Sequence, residues 1–359
     1  MAFVLAELYA DDLDSLTDLV RSGGPRQLPV VADVLARDAD EVEGRFAAEL
    51  RSPLPEHTTE QSDLVQERAR LAIALLLIRR PDAVWPLLEH QENPDLRSAL
   101  IHQVGEFRTD WELLVDEIAN DRSPGVMAAI PMALARFDTA QLAPTLRSER
   151  ILPRLEQLYS QHSNVGVRSA AEWLLRRWDL QVDFAALDRQ NSGGEPIEGK
   201  NWYVTSGGDF TMAILPAPEE FVMGSPAKEL EDAFEIPSHR PEDEKQQNQA
   251  ITRAFAISTK EVNYKQFMEF SVALKVKKKT LIPNGWKNTV TRTDDAAMTF
   301  VSLKEAMLFC WWFSKQQGIP DDQQCYVFDG EFFDDSPEIC TVENYLLKSG
   351  YRIPTEAEW

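Results

Sequence analysis

The sequence predicts a multidomain chain: an all-α array of helical repeats, followed by an α+β domain that stops before it is complete. Three observations carry this expectation. Apolar residues recur at three and four spacing over residues 1–180. The polar, glycine-rich stretch Asp188-Arg-Gln-Asn-Ser-Gly-Gly-Glu-Pro-Ile-Glu-Gly199 then breaks the pattern. Beyond it lie short strand-like segments, and the chain ends on Gly350-Tyr-Arg-Ile-Pro-Thr-Glu-Ala-Glu-Trp359, a strand-to-helix junction with no helix after it. The boundaries that follow are 1–180 for the array, 181–200 for a linker and 201–359 for the second domain.

Taken in order, Leu5, Leu8, Leu13 and Leu16 form an early amphipathic stripe. Leu64 to Leu77 is dense enough to be a buried helix, stopped by Arg79-Arg-Pro81. Val84–Leu88, Leu96–Val104, Trp111–Ile118, Val126–Leu134, Leu152–Tyr159 and Val167–Trp178 continue the series. Three of these segments resemble one another: Asn93-Pro-Asp-Leu-Arg-Ser-Ala-Leu100, Ser123-Pro-Gly-Val-Met-Ala-Ala-Ile130 and Asn164-Val-Gly-Val-Arg-Ser-Ala-Ala171. Gln66-Glu-Arg-Ala-Arg-Leu-Ala72 is a degenerate earlier copy. Each begins with a turn or capping group and then sets small residues on a helix that must pack closely. The spacing of roughly 30 to 40 residues is near or below the period of HEAT and armadillo arrays, so the array is expected to be HEAT-like. Such arrays bury each repeat on its neighbours and serve either as a surface for a protein partner or as a spacer for the next domain. His57, His90, His102 and His162 stand singly along it and are expected to be solvated or locally bonded.

Composition bounds the function. The chain has 359 residues, 43% of them hydrophobic, with a net charge of -22. That is ample for sizeable cores, and the acidic surface argues against phosphate-backbone binding and against docking on an anionic membrane. No apolar run approaches the ~18 residues of a membrane span, and the start lacks the basic region of a signal peptide. Three cysteines, Cys310, Cys325 and Cys340, form no disulfide framework, so a reducing cytoplasm is expected. No Cys-x-x-Cys or His-x-x-x-His spacing points to zinc.

After the linker, Asn201–Thr205 and Phe210–Leu215 read as strands around the turn Gly207-Gly208. Phe221-Val-Met-Gly-Ser225 follows, and its Gly224 is expected to need positive φ or close backbone approach. Next come Glu235-Ile-Pro-Ser-His239 and Phe255-Ala-Ile-Ser-Thr-Lys-Glu-Val-Asn263. Tyr264, Phe267 and Phe270 lie at helical spacing as a core face. Val301-Ser-Leu303 with Ala306, Cys310 and Trp312 precedes the final block. In that block Tyr351–Ile353 has strand character, Pro354 suits a helix entry, and Thr355 with Glu358 makes a capping box.

These five ordered blocks resemble the signature of the formylglycine-generating enzyme family, also called sulfatase-modifying factor domains. The final block is similar to the family's Arg-Leu-Pro-Thr-Glu-Ala-Glu-Trp, with Ile353 for Leu. Leu303 stands where the family has Trp, and Phe309 where it has Tyr. The likeness is closest to bacterial proteins in which such a domain follows a protein kinase and a helical middle region. Residues Ala170–Trp178 and Trp202-Tyr-Val look like that region and its junction. Kinase signatures do not occur in this sequence, though association with a kinase is compatible with the architecture.

The resemblance implies a fold related to C-type lectins. In active members it implies oxidation of a substrate cysteine to formylglycine by dioxygen and a copper ion on two cysteine thiolates. In the family that cysteine pair follows the Arg-Leu-Pro-Thr-Glu-Ala-Glu-Trp block, beyond Trp359, so this chain by itself is expected to be inactive. Copper is expected only if sequence beyond it supplies the pair. Cys310 matches a position that the family buries beside Trp; Cys325, inside an acidic insertion over Asp321–Glu338, and Cys340, just after it, are expected to be plain thiols rather than a pair or metal ligands. His239 is expected to pin its loop by a buried hydrogen bond, and Arg352 to pair with Glu356 or Glu358. Lys275–Lys279 reads as a solvated basic run. Glu231–Glu244 lacks the spacing of a calcium loop. No catalytic, cofactor or metal residue is assigned. The competing expectation is a non-catalytic scaffold, with a helical partner surface and a lectin-like ligand domain.

Overall fold

A computed structural model describes residues 2–53, 59–107, 109–141, 144–226, 245–274, 293–329 and 338–359. The chain divides into two compact units, Met1–Leu187 and Asp188–Trp359. The stretch read as linker is partly structured. The helix Phe184–Arg189 lies within it, because Phe184 stands edge-on to the Tyr159 ring at 5.3 Å. Further on, Gly194 N donates to Val204 O, joining the rest of the stretch to the second unit.

The first unit is helical throughout. The early stripe is two helices, not one. Ala2–Leu8 is the first, and Asp12 caps the second, Leu13–Ser22, by accepting from the backbone of Asp14 and Ser15. Two helices that the series from Leu64 onward did not include, Leu28–Leu35 and Ala39–Leu50, come next. Thr59–Leu77 is the central helix, and residues Leu71 to Leu75 on it are fully buried. Asp95–Gln103, Trp111–Ile118, Pro124–Leu134, Leu152–Gln161 and Val165–Arg177 fall where periodicity placed helices. Val84–Leu88 is instead a tight 3₁₀ turn over Trp85–Leu88.

The self-similar segments have a shared physical device. Arg97 Nε donates to Leu88 O at 2.8 Å, Arg168 Nη1 to Tyr159 O at 2.6 Å, and Arg68 to the carbonyls of Ser52 and Pro53. Each guanidinium reaches back to carbonyls near the end of the preceding element, which have no intrahelical partner. Met127 holds the same step in the third copy. The small residues that follow, such as Ala69, Ala128, Ala129, Ala170 and Ala171, are buried and let neighbouring helices approach. Val165–Arg177 packs on Pro124–Leu134 in this way.

Among the described residues the second unit combines short antiparallel sheets with the helices Tyr264–Ala273 and Leu303–Gln316. β1 (Trp202–Val204), β2 (Thr211–Leu215) and β5 (Phe255–Ser258) form one sheet in the order β1-β2-β5. β3 (Glu219–Met223) pairs with β4 (Gln247–Ile251), and β6 (Tyr326–Asp329) with β7 (Glu338–Thr341). The β1–β2 turn uses positive φ at Gly207 and Gly208, and Gly224 has φ 103°, as the block required. The helices Tyr264–Ala273 and Leu303–Gln316 each begin with a complete capping box, Asn263 with Gln266 and Ser302 with Glu305. Phe210, Met212, Phe267, Phe270, Phe309 and Phe313 meet between sheet and helices as the core.

Candidate functional site

The second unit contains a cavity of about 830 Å³. Met212 of β2 and Ala256 of β5 line one side, and Phe309, Cys310 and Phe313 of the Leu303–Gln316 helix line another. The final segment, Gly350 to Pro354, forms a third wall. This segment was expected to be a strand. It is irregular and has no ladder partner among the described residues. Side chains and loop carbonyls hold it instead: Gly350 N donates to Gln323 O at 2.9 Å, Tyr351 N to Ser314 Oγ at 2.8 Å, and Ile353 N to Tyr326 Oη at 3.1 Å. Gly350 is fixed by space, for a Cβ there would lie 2.8 Å from Gln323 O and 3.0 Å from Cys325 N.

One end of the cavity is ionic. The Glu358 carboxylate, 1% exposed, accepts from Arg352 Nη1 and Nη2 and from Arg253 Nη2, all at 2.7 Å. It also accepts from Thr355 N at 2.9 Å, which completes the capping box of the 3₁₀ turn Glu356–Glu358. Burial pushes this carboxyl up, but the Arg352 and Thr355 hydrogen bonds outweigh it and hold the group down at about 2. Of the two partners expected for Arg352, Glu358 is therefore the one chosen. Arg253, 105 residues away in sequence, was not foreseen, and no local signal marks it.

The cavity lining is also phenolic. Tyr203 of β1 and Tyr351 both line the cavity. Burial raises both phenols, and the two are hydrogen-bonded to each other, so they stay protonated at neutral pH. Asp209, beside the β1–β2 turn, is pushed up by burial and then by Glu269.

The cysteines are placed apart in character. Cys325 is buried, and its thiol donates to Gly350 O at 3.0 Å and Tyr345 O at 3.4 Å. Cys310 sits half-buried against the aromatic core, and burial raises its thiol to about 12. Cys340 is exposed on β7. Soft-metal ligation needs thiolates. One thiol spent on carbonyls, one pushed up by burial and one on the surface do not fit a copper pair. Among the described residues no group of three or more His, Cys, Asp and Glu side chains is placed to hold a metal ion.

The remaining expectations fall as follows. His90 is exposed, His102 lies 3.5 Å from Arg136 Nη2, and His162 Nδ1 accepts from Asn164 N at 3.0 Å. His57, His239, Lys275–Lys279 and Glu231–Glu244 lie outside the described residues. No helix among the described residues is long and apolar enough to cross a membrane.

A family model described as a sulfatase-modifying factor enzyme 1-like domain matches residues 192–359. No curated protein and no solved structure matches the chain.

Proposed function

We propose, from the match of residues 192–359 to the sulfatase-modifying factor enzyme 1-like domain model, that this unit is the frame of an oxidase acting on protein cysteine. The substrate would be a peptide whose cysteine becomes formylglycine. In this reading residues 192–359 build and brace the cavity and carry out no chemistry on their own. The observation that carries it is the state of the thiols. The family's reaction needs two thiolates, and Cys310, Cys325 and Cys340 are raised, spent or displaced. No step is therefore assigned to them. What the chain does contribute is the ionic brace Arg253–Glu358–Arg352 and the hydrogen-bonded segment Gly350–Ile353, which hold one cavity wall in place. A fold of the C-type-lectin kind is part of the same reading.

The test is mass spectrometry on a cysteine peptide incubated with copper, dioxygen and a thiol reductant. The expected result is the mass loss of Cys-to-aldehyde conversion with the gene product of full genomic length, and none with residues 1–359. Conversion by residues 1–359 would overturn the assignment of the thiols. Absence of conversion by the full gene product would leave a binding module in place of an oxidase.

The first unit, read as a HEAT-like array, is proposed to present a surface to a protein partner. The support is its stacked, self-similar helices, three of which are tied to the element before by an arginine, Arg68, Arg97 and Arg168.

A further inference from the structure

The helical unit has a cleft of about 1390 Å³ between the Ala39–Leu50 helix, the turns around Pro81 and Pro86, and the start of Asp95–Gln103. That exceeds the roughly 300 to 1,000 Å³ of small-molecule pockets and suits a length of polypeptide. Ala83, Pro86 and Pro94 give it an apolar floor, with Leu50, Leu87 and Leu96 beneath. Its rim is acidic. Asp40, Glu43, Asp82, Glu92 and Asp95 all line it.

The state of those carboxylates decides what the cleft takes. Arg80 occupies Asp40 and Glu43. Asp82, Glu92 and Asp95 are exposed and make no ion pair among the described residues. Two arginines also line the cleft, Arg51 and Arg68, and Arg68 is buried with its Nη groups on the carbonyls of Ser52 and Pro53. Counting Arg80, five carboxylates against three guanidinium groups leave the cleft negative. An acidic or neutral segment would lose the complementarity, and a purely polar basic one would leave the apolar floor uncovered.

We infer that this cleft docks an amphipathic segment of a partner protein in which lysine or arginine alternates with small or aliphatic side chains. The cations face Asp82, Glu92 and Asp95, and the apolar residues lie on Ala83, Pro86 and Pro94. This rests on reading the helical unit as a partner surface and names which part of it is used and for what chemistry.

The experiment is fluorescence anisotropy on the full chain with three labelled probes of equal length: alternating Leu and Arg, alternating Leu and Glu, and alternating Gly and Arg. The Leu/Arg probe is expected to bind saturably and at least tenfold tighter than either other probe. The triple charge reversal Asp82→Lys, Glu92→Lys, Asp95→Lys is expected to weaken it tenfold or more. A reversal of Asp33→Lys, Glu112→Lys, Glu149→Lys, elsewhere on the unit, should weaken it less than twofold. Thermal melts of both variants check that each folds. Equal losses in the two reversals would mean general attraction to an acidic chain, and would overturn the proposal. So would equal binding of the Gly/Arg probe. A third arm separates the wider reading from this one. If photo-crosslinking in extract from the source cells traps the same protein on the wild type and on the cleft reversal alike, the unit has a partner but the cleft does not hold it, and the proposal fails.

Discussion

Replacing Glu358 with glutamine tests how the cavity wall is held. The substitution keeps the shape of the side chain and removes its charge. Two guanidinium groups, those of Arg352 and Arg253, then face a neutral amide in a site where the side chain is 1% exposed. The gap between the ordinary value of 4.5 and about 2 measures how strongly the folded chain prefers the ionised carboxyl. At 1.36 kcal/mol for each tenfold in proton affinity, that preference is worth roughly 3 kcal/mol. Breaking a buried pair from one side typically costs about 3–5 kcal/mol, which agrees. For a unit of this size about 3 kcal/mol lowers the melting temperature by roughly 6–12 °C. Calorimetry on the full chain reads this as a shift of the C-terminal unit's transition alone. The pH dependence has a definite sign. A carboxyl lowered on folding contributes stability that is complete above 4.5 and is lost as pH falls towards about 2. The wild type should lose that stability over this window, and E358Q should lack the corresponding fall. A shift under about 1 °C, or the same acid profile in both proteins, would refute the argument that this carboxylate braces the wall.

Other measurements address other parts. Arg168→Met should destabilise the helical unit by about 2–4 kcal/mol, because it strands the Tyr159 carbonyl and removes a guanidinium stacked 3.9 Å from the Tyr159 ring; urea denaturation followed by helical circular dichroism reads the loss. Gly350→Ala should cost about 1–3 kcal/mol, since its Cβ meets backbone rather than flexible side chain; the C-terminal calorimetric transition again reports it. A thiol reagent at neutral pH should label Cys340 rapidly, half-buried Cys310 slowly because its thiol is raised to about 12, and buried Cys325 only on unfolding; labelling of Cys310 as fast as Cys340 would contradict the raised thiol.

Periodicity alone placed most of the helical unit, because amphipathic helices that stack on neighbours must repeat apolar residues every three to four positions. Leu152–Gln161 and Val165–Arg177 were legible in this way, and so were the β1–β2 turn and the positive φ at Gly224. The capping box of Thr355 and Glu358 was equally local, since its partners are three residues apart. Patterns failed where the competing signal was also local. Val84–Leu88 folds as a 3₁₀ turn over Trp85–Leu88, and the early stripe falls on two helices, the second capped by Asp12.

What the chain order did not contain was decided by tertiary structure. Tyr351–Ile353 looks like a strand by composition, but a strand needs a ladder partner; here Ser314, Tyr326 and Gln323 occupy its backbone instead. The sequence named Arg352 and two candidate glutamates. Only folding brought Arg253 across 105 residues to choose Glu358, because an ion pair forms where burial removes water, and burial is a property of the assembled core. The cysteines make the same point: their order in the chain is plain, while their chemistry depends on which carbonyl, ring or solvent each thiol meets.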